Sequence, residues 1–372
     1  MYKLMQPAKY LLFIFLISCN KGTLEKRNGL VDSFPIEIDA SDYIDSIQLI
    51  HTTLQPMAMA ISSRHTFILN KAPYESIKVY STDSLRYLGS FGYEGQGPGD
   101  FEFYRLNGSG FNLGNNGKTL LVQDYKYLRT IPINDIENKL ANNNLAIEYK
   151  FTIPGSLIPF NDVYLIGSTH FLGKVGFSPK HFKEFLPVQA SISDVIDYPK
   201  RVNYIPKEAN HHLYWSHFDT SIDAKHGVLA YMRFPMVRIF DIESQKSKYI
   251  EFQPKNKQIE NIKVAGNGKS VDNSKMFSYY FNVEVSDNRI YALYQESILI
   301  RDSGTGKLSY KSEQPPALHV YDWNGNPVMK ITMPTWMGIY NVSPDDSLLY
   351  FMHPEKDSLV YKINLNQLNE HQ

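Results

Sequence analysis

The sequence predicts an all-β fold built from successive four-stranded antiparallel meanders. Three observations carry this. Tyr and Phe are abundant, 26 and 21 of 372 residues, and both favour strands because their rings pack well on a pleated surface. Stretches at helical period are absent, apart from 134–144 and 180–186, each able to form a short helix. Finally, Gln55 to Phe101 divides cleanly into short strand-like runs.

Those runs are Gln55–Ala60, Thr66–Asn70, Ile77–Tyr80 and Arg86–Gly92, separated by polar, Gly or Pro breaks. Four such strands in a meander make one blade of a β-propeller. Gly95-Gln96-Gly97-Pro98-Gly99 lacks the Lys-Ser/Thr and helix of a phosphate-binding loop, so it reads as a connection between blades.

The chain continues in the same manner. A second blade carries Gly117–Asp124, Leu128–Ile131 and Leu145–Phe151. The third is less regular, with Asn161–Gly167 its clearest strand and Glu184–Val188 another. In the fourth lie Gly227–Tyr231, Met236–Asp241 and Lys248–Phe252. A fifth has Asp287–Tyr294 and the hairpin Leu318–Ile331; the last has Ser343–Phe351 and Ser358–Ile363. Second strands thus start near Phe67, Leu120, Tyr164, Leu229, Tyr291 and Leu349, which predicts six blades, each needing its neighbours to cover its faces. The polar stretches Pro254–Ser274 and Asp302–Pro316 read as surface insertions. Phe34–Ile38 and Ile44–Ile50 are further strand candidates, and one of them is expected beside Val360–Leu365, closing the ring and hiding an edge.

In the first blade, Pro56, Phe67–Asn70, Val79-Tyr80, Leu88–Gly92 and Gly97-Pro98-Gly99-Asp100-Phe101 fill the places of an NHL-type repeat, which the stretch resembles. The same wording recurs in six-bladed TolB-like propeller lipoproteins of Bacteroidetes-type bacteria. The resemblance implies a six-bladed β-propeller with four-stranded antiparallel blades, exported and lipid-anchored.

The N-terminus reads as an address. Lys3 and Lys9 precede the apolar run Tyr10–Ile17, which is too short to span a bilayer as a helix. Leu16-Ile17-Ser18-Cys19 is similar to a bacterial lipobox, with Cys19, the sole cysteine, as the lipidated residue. Acyl chains contribute about 0.8 kcal/mol per buried CH₂, so two or three would anchor stably. The expected organisation is a signal peptide at 1–18, a lipidated tether at 19–32 and the propeller at 33–372. An outer-membrane lipoprotein on the periplasmic face is expected, with surface exposure open. With Cys19 lipidated, no disulfide can form.

Charge excludes one class of partner. The chain has 38 basic and 38 acidic residues, and loss of 1–18 removes Lys3 and Lys9, leaving 36 against 38. No basic block stands out, so the footprint needed for nucleic acid is missing.

No Gly-x-Ser-x-Gly or His-Glu-x-x-His is present, and no catalytic residue is assigned. Asp322-Trp323-Asn324-Gly325-Asn326 begins like a calcium loop but has Pro327 and Met333 where Gly and Glu belong, so it reads as a hairpin turn. His211, His212 and His217, with His226 and Asp219 nearby, form the densest imidazole cluster; on a strand, His211 and His217 would share a face. Six-bladed lactonases and related hydrolases, which the fold resembles, place polar side chains around an axial calcium. The resemblance makes Asn70, Asp124, Asn161, Asp162, His217 and Asp219 the candidate ligand-binding residues of a central funnel; turn capping is their other reading. Tyr214, Trp215, Phe218, Tyr279, Tyr280 and Phe281 are candidates for stacking on sugars or peptides, or for packing. The expected function is a non-catalytic binding or scaffold module for protein or glycan partners, without a cofactor. The alternative is a calcium- or zinc-dependent hydrolase working in the funnel.

Overall fold

A computed structural model describes residues 27–369, except 50–54, 72–75, 94, 96–99, 102–105, 115, 125, 143–144, 146, 148, 257–261, 267, 273–275, 302–307 and 357. Residues 1–18, read as a signal peptide, Cys19 and most of the Gly95–Gly99 run lie outside the described residues.

Three N-terminal strands come first: β1 (Arg27–Val31), β2 (Glu37–Asp39) and β3 (Ile44–Gln48). Blade one is β4 (Pro56–Ile61), β5 (His65–Asn70), β6 (Ile77–Ser81) and β7 (Tyr87–Phe91). Blade two is β8 (Leu106–Gly114), β9 (Thr119–Asp124), β10 (Tyr127–Pro132) and β11 (Tyr149–Thr152). The third is β12 (Phe160–Leu165), β13 (Phe171–Val175), β14 (Phe182–Leu186) and β15 (Ser191–Val195). The fourth is β16 (Ser216–Thr220), β17 (His226–Tyr231), β18 (Met236–Asp241) and β19 (Ser247–Phe252). Blade five is β20 (Phe277–Val285), β21 (Arg289–Arg301), β23 (Ala317–Asp322) and β24 (Pro327–Thr332), with β22 (Leu308–Lys311) paired to the far end of β21. Blade six is β25 (Ile339–Val342), β26 (Leu348–Met352) and β27 (Leu359–Asn364), completed by β3. The inner strands β4, β8, β12, β16, β20 and β25 each touch the next, and β25 touches β4. The ring is closed, and the fold is a six-bladed β-propeller.

The core is not one mass but six layers, one between each pair of neighbouring blades. Strand alternation decides which layer a side chain enters. On β17, Val228 and Ala230 join the layer against blade five, while Leu229 and Tyr231 join the layer against blade three. Both faces of a middle strand are therefore dry. This is why the second strands read as unbroken apolar runs rather than alternating ones.

Closure occurs as expected: β3 pairs antiparallel with β27, Ile47 opposite Val360. The N-terminal segment does more than close the ring. β1, which begins inside the stretch read as tether, runs parallel to β19, and β2 runs parallel to β24. Three successive outer edges are thus covered by one segment. Between β1 and β2, Phe34 is buried among Phe252, His319 and Tyr321, with ring centroids 5.9, 4.6 and 5.6 Å away. It ties blade four to blade five.

Several expectations need correction. Tyr164 lies on the inner strand of blade three, not its second. The true second strand, β13, was obscured by Gly173 and Lys174. Gly173 is needed because a Cβ there would lie 2.4 Å from the Phe160 ring, and Lys174 is drawn toward a channel carboxylate. The stretch 180–186 forms strand β14, not a helix, whereas 134–144 does contain one, Ile136–Ala141. Asp302–Pro316 is not wholly an insertion, since β22 extends β21 there.

Turns before second strands share a device that pattern reading missed. Ser62, Ser221, Ser286 and Ser343 each open such a turn, and each hydroxyl accepts the backbone N–H of the residue that starts or precedes the next strand: His65 (2.9 Å), His226 (2.9 Å), Arg289 (2.9 Å) and Leu348 (2.9 Å). At the other hairpin type, Asp322 Oδ1 and Oδ2 accept from the Asn326 backbone and side chain, both at 2.8 Å, and Gly325 takes φ +82°. This Asp serves the turn, in keeping with the hairpin reading.

Because Phe34 is buried between two blades, Phe34→Ala should destabilise the fold by about 3 kcal/mol. A lower urea midpoint, without loss of far-UV circular dichroism in the folded baseline, is the expected readout.

Candidate functional site

The inner strands surround an axial cavity of about 260 Å³. Its polar lining includes Asn112 on β8, Asp162 and Tyr164 on β12, His217 and Asp219 on β16, Asn282 and Glu284 on β20, Asp287 in the turn after it, and Asn341 on β25. An inner strand has no sheet partner toward the axis, so its axial side is where polar residues can sit without breaking a ladder.

Irregular pairing aims some of these residues. In β12 the register slips between Asn161 and Tyr164, a one-residue bulge against β13, and Asp162 adopts φ +45°. Asp tolerates that left-handed conformation better than most residues, and bulges commonly redirect side chains at functional sites. The Asp162 carboxylate then meets Lys174 Nζ at 2.8 Å, and Lys174 also donates to the Ser216 carbonyl. In β20 the register shifts twice between Ser278 and Asn282, just before Asn282 and Glu284.

Asp219 and Glu284 stand on adjacent blades. Asp219 Oδ1 accepts from Thr220 N at 2.7 Å and Oδ2 from Val285 N at 2.8 Å. Glu284 accepts from Asn282 Nδ2 at 3.2 Å and from Asn341 Nδ2 at 2.8 Å. Burial pushes Asp219 up to about 7, opposed by its two backbone donors. Burial, and then the nearby Asp219 charge, holds Glu284 well above the ordinary carboxylate range. Burial also pushes His217 down to about 4, so the imidazole is neutral at physiological pH, and its Nε2 has no hydrogen-bond partner. Tyr164 donates to the Phe218 carbonyl at 2.6 Å.

Of the six funnel candidates, the fold brings together Asp162, His217 and Asp219. Asn161 is adjacent in sequence but does not line the cavity. Asn70 and Asp124 end second strands, one row out from the axis. Asn70 donates to Ile68 O at 3.4 Å, and Asp124 pairs with buried Arg129 at 2.9 Å. Sequence reading missed Glu284, Asn282, Asn341, Asn112 and Lys174. The alternation of Asn282 and Glu284 in an otherwise aromatic strand was the available signal.

The histidine cluster does not assemble on a strand. His211 and His212 lie on a single helical turn, Asn210–Leu213, where His211 stacks near Phe177 at 4.2 Å; His217 is on β16. Tyr214, Phe218, Tyr279 and Tyr280 are core residues, and Trp215 is 51% exposed.

A divalent metal does not fit this lining. Calcium takes six to eight oxygens, yet Asp219 already accepts two backbone N–H groups, Asp162 is paired with Lys174, and Glu284 accepts from two side-chain amides. Among the described residues, no group of three or more His, Cys, Asp or Glu is placed to hold a metal ion.

These features define a six-bladed propeller with an acidic, amide-lined axial channel. The chain belongs to the TolB-like 6-blade propeller-like family, whose model matches residues 54–345. It is similar in fold to a member of the duf4221 family from Bacteroides vulgatus, with 9% identity, TM-score 0.55, and coverage of 86% of this chain and 95% of that one. It is also similar to a putative exported protein from Bacteroides fragilis, with 11% identity, TM-score 0.55, and coverage of 89% and 98%. No curated protein matches the sequence.

The acid pair makes stability depend on pH. In the folded chain Asp219 and Glu284 keep protons that an unfolded chain would release above their ordinary values of 3.8 and 4.5. Folding thus takes up protons between about pH 4 and about pH 7, and their contribution to stability falls as pH rises through that window, by at most about 1.4 kcal/mol per pH unit for each group. Urea unfolding across the window should show a steeper decline for the wild type than for Glu284→Gln.

Proposed function

We propose that this protein is an extracytoplasmic, lipid-anchored binding module, held at the outer membrane through Cys19, whose central channel is the seat for a group of a protein or glycan partner. The observation carrying this reading is that the channel's carboxylates are already engaged by the fold, while the cavity they surround stays open and keeps His217 Nε2 and Asn112 Oδ1 unpartnered. Asp162, Asp219 and Glu284 all have protein partners. Among the lining residues described, no hydroxyl is hydrogen-bonded to a histidine, so there is no nucleophile–base pair of the kind acyl transfer needs. Such a site is suited to orienting a ligand.

Export is supported by the lipobox-like Leu16-Ile17-Ser18-Cys19 and by the fold shared with the putative exported protein from Bacteroides fragilis. Among the described residues, no helix is long and apolar enough to cross a membrane. A lipid on Cys19 supplies attachment without a spanning segment.

Two measurements test the reading. Cys19→Ala should move the protein from the membrane fraction to the soluble one. The mature domain should retain a protein or glycan in pull-downs and on glycan arrays, less so after Asn341→Ala, with lactone and ester turnover at background. Turnover abolished by Asp219→Asn would assign an enzyme instead.

A further inference from the structure

The channel's charge balance points to its ligand. Asp162, Asp219, Glu284 and Asp287 line it, and no Lys or Arg does. Lys174 reaches in from β13 but neutralises only Asp162. Asp287 sits in the turn after β20, its backbone N–H donating to the Pro344 carbonyl at 2.9 Å. Burial, and then Asp346, Asp223 and Asp345, raise its carboxyl. Acidic groups therefore extend from these turns inward to Asp219 and Glu284. A low-dielectric cleft of one sign concentrates counter-ions.

The remaining chemistry is acceptor-rich. Asn282 and Asn341 spend amide hydrogens on Glu284, and Asn341 also donates to the Met59 carbonyl at 3.1 Å. Asn112 donates to the Val163 carbonyl at 2.7 Å, which leaves its Oδ1 buried and unpartnered. An entering group must bring hydrogen-bond donors and positive charge. Calcium demands more oxygens than are free, whereas an ammonium needs at most three acceptors. The lining also includes Met57, Ala58 and Val342, with the rings of Tyr164 and Phe218 alongside. Such rings favour a cation over a neutral group. The volume, about 260 Å³, is below the ~300–1,000 Å³ of sites for drug-sized ligands, so the ligand is slender.

We propose that the channel binds a primary alkylammonium, its charged end between Asp219 and Glu284 and its methylene chain extending along the channel. This deepens the binding-module reading and rests on the channel being its ligand seat. The source is either a free diamine or the side chain of a lysine presented by a partner.

Binding a cation must drive a proton off the acid pair. The groups facing that pair are Asp162 with Lys174 from blade three, neutral His217 from blade four, Asp287 at the turn, and the Tyr164 and Tyr340 hydroxyls. Affinity should therefore rise with pH, by about tenfold from pH 6 to pH 8, while the alkylammonium stays charged throughout.

Calorimetry on the mature domain with 1,4-diaminobutane, Nα-acetyl-lysine amide, 1-butanol and glucose tests this. The amines should bind, more tightly at pH 8, with buffer-dependent heats that report proton release; 1-butanol and glucose should not. Binding of the diamine alone assigns a free amine, and of the lysine amide a presented side chain. Glu284→Gln should weaken amine binding about tenfold or more and remove the proton release, and Asp287→Asn provides a second variant should the first fail to fold. Glucose binding without amine binding would overturn the ammonium assignment and leave the ligand seat standing. Absence of any ligand, with the fold intact, would overturn both.

Discussion

Every blade of this protein is a sheet with two apolar faces and no means of covering either alone. That constraint shapes the rest. Six layers of side chains lie between six blades, and each layer exists only because the next blade supplies its other half. At roughly 25 cal/mol per Å² of apolar surface, dry faces dominate the free energy of such an assembly. A gap in the ring would expose two of them at once. The pairing of β3 with β27 prevents it, and β1, β2 and Phe34 extend the same cover over blades four and five.

The channel follows from closure. With the blades' faces spent on one another, the axial sides of the inner strands are the interior surface left for polar groups. Carboxyls placed there are dehydrated, and like charges face one another across a narrow space. A fold stable enough to bear that cost can hold Asp219 and Glu284 partly protonated. The bulges in β12 and β20 do the aiming, and the left-handed Asp162 is the one strained lining residue with a clear electrostatic partner, Lys174.

The N-terminal segment links the two ends of the functional argument. The proposed anchor precedes it in the chain, and the segment itself is stitched onto three blades. A tether attached in this way would load strand edges rather than the channel.

Much of the fold was legible in the order of residues. All four strands of blade one, the second strands at Phe67, Leu120, Leu229, Tyr291 and Leu349, and the closing strand were visible, because sheets buried on both faces leave long apolar runs between Gly, Ser and Asn turns. Blade three was misread at Tyr164 because Gly173 and Lys174 interrupt the run for reasons that lie in neighbouring strands. Within the channel, Asp162, His217 and Asp219 were foreseen, but Asn70 and Asp124 looked equivalent to them in sequence. Whether a polar residue at a strand end faces the axis or caps a turn depends on which row its strand occupies, and Glu284 gained its role only when a blade distant in sequence set Asp219 beside it. Local pattern determined the strands; the closed ring alone decided which side chains would meet, because their shared burial arises from contacts between blades.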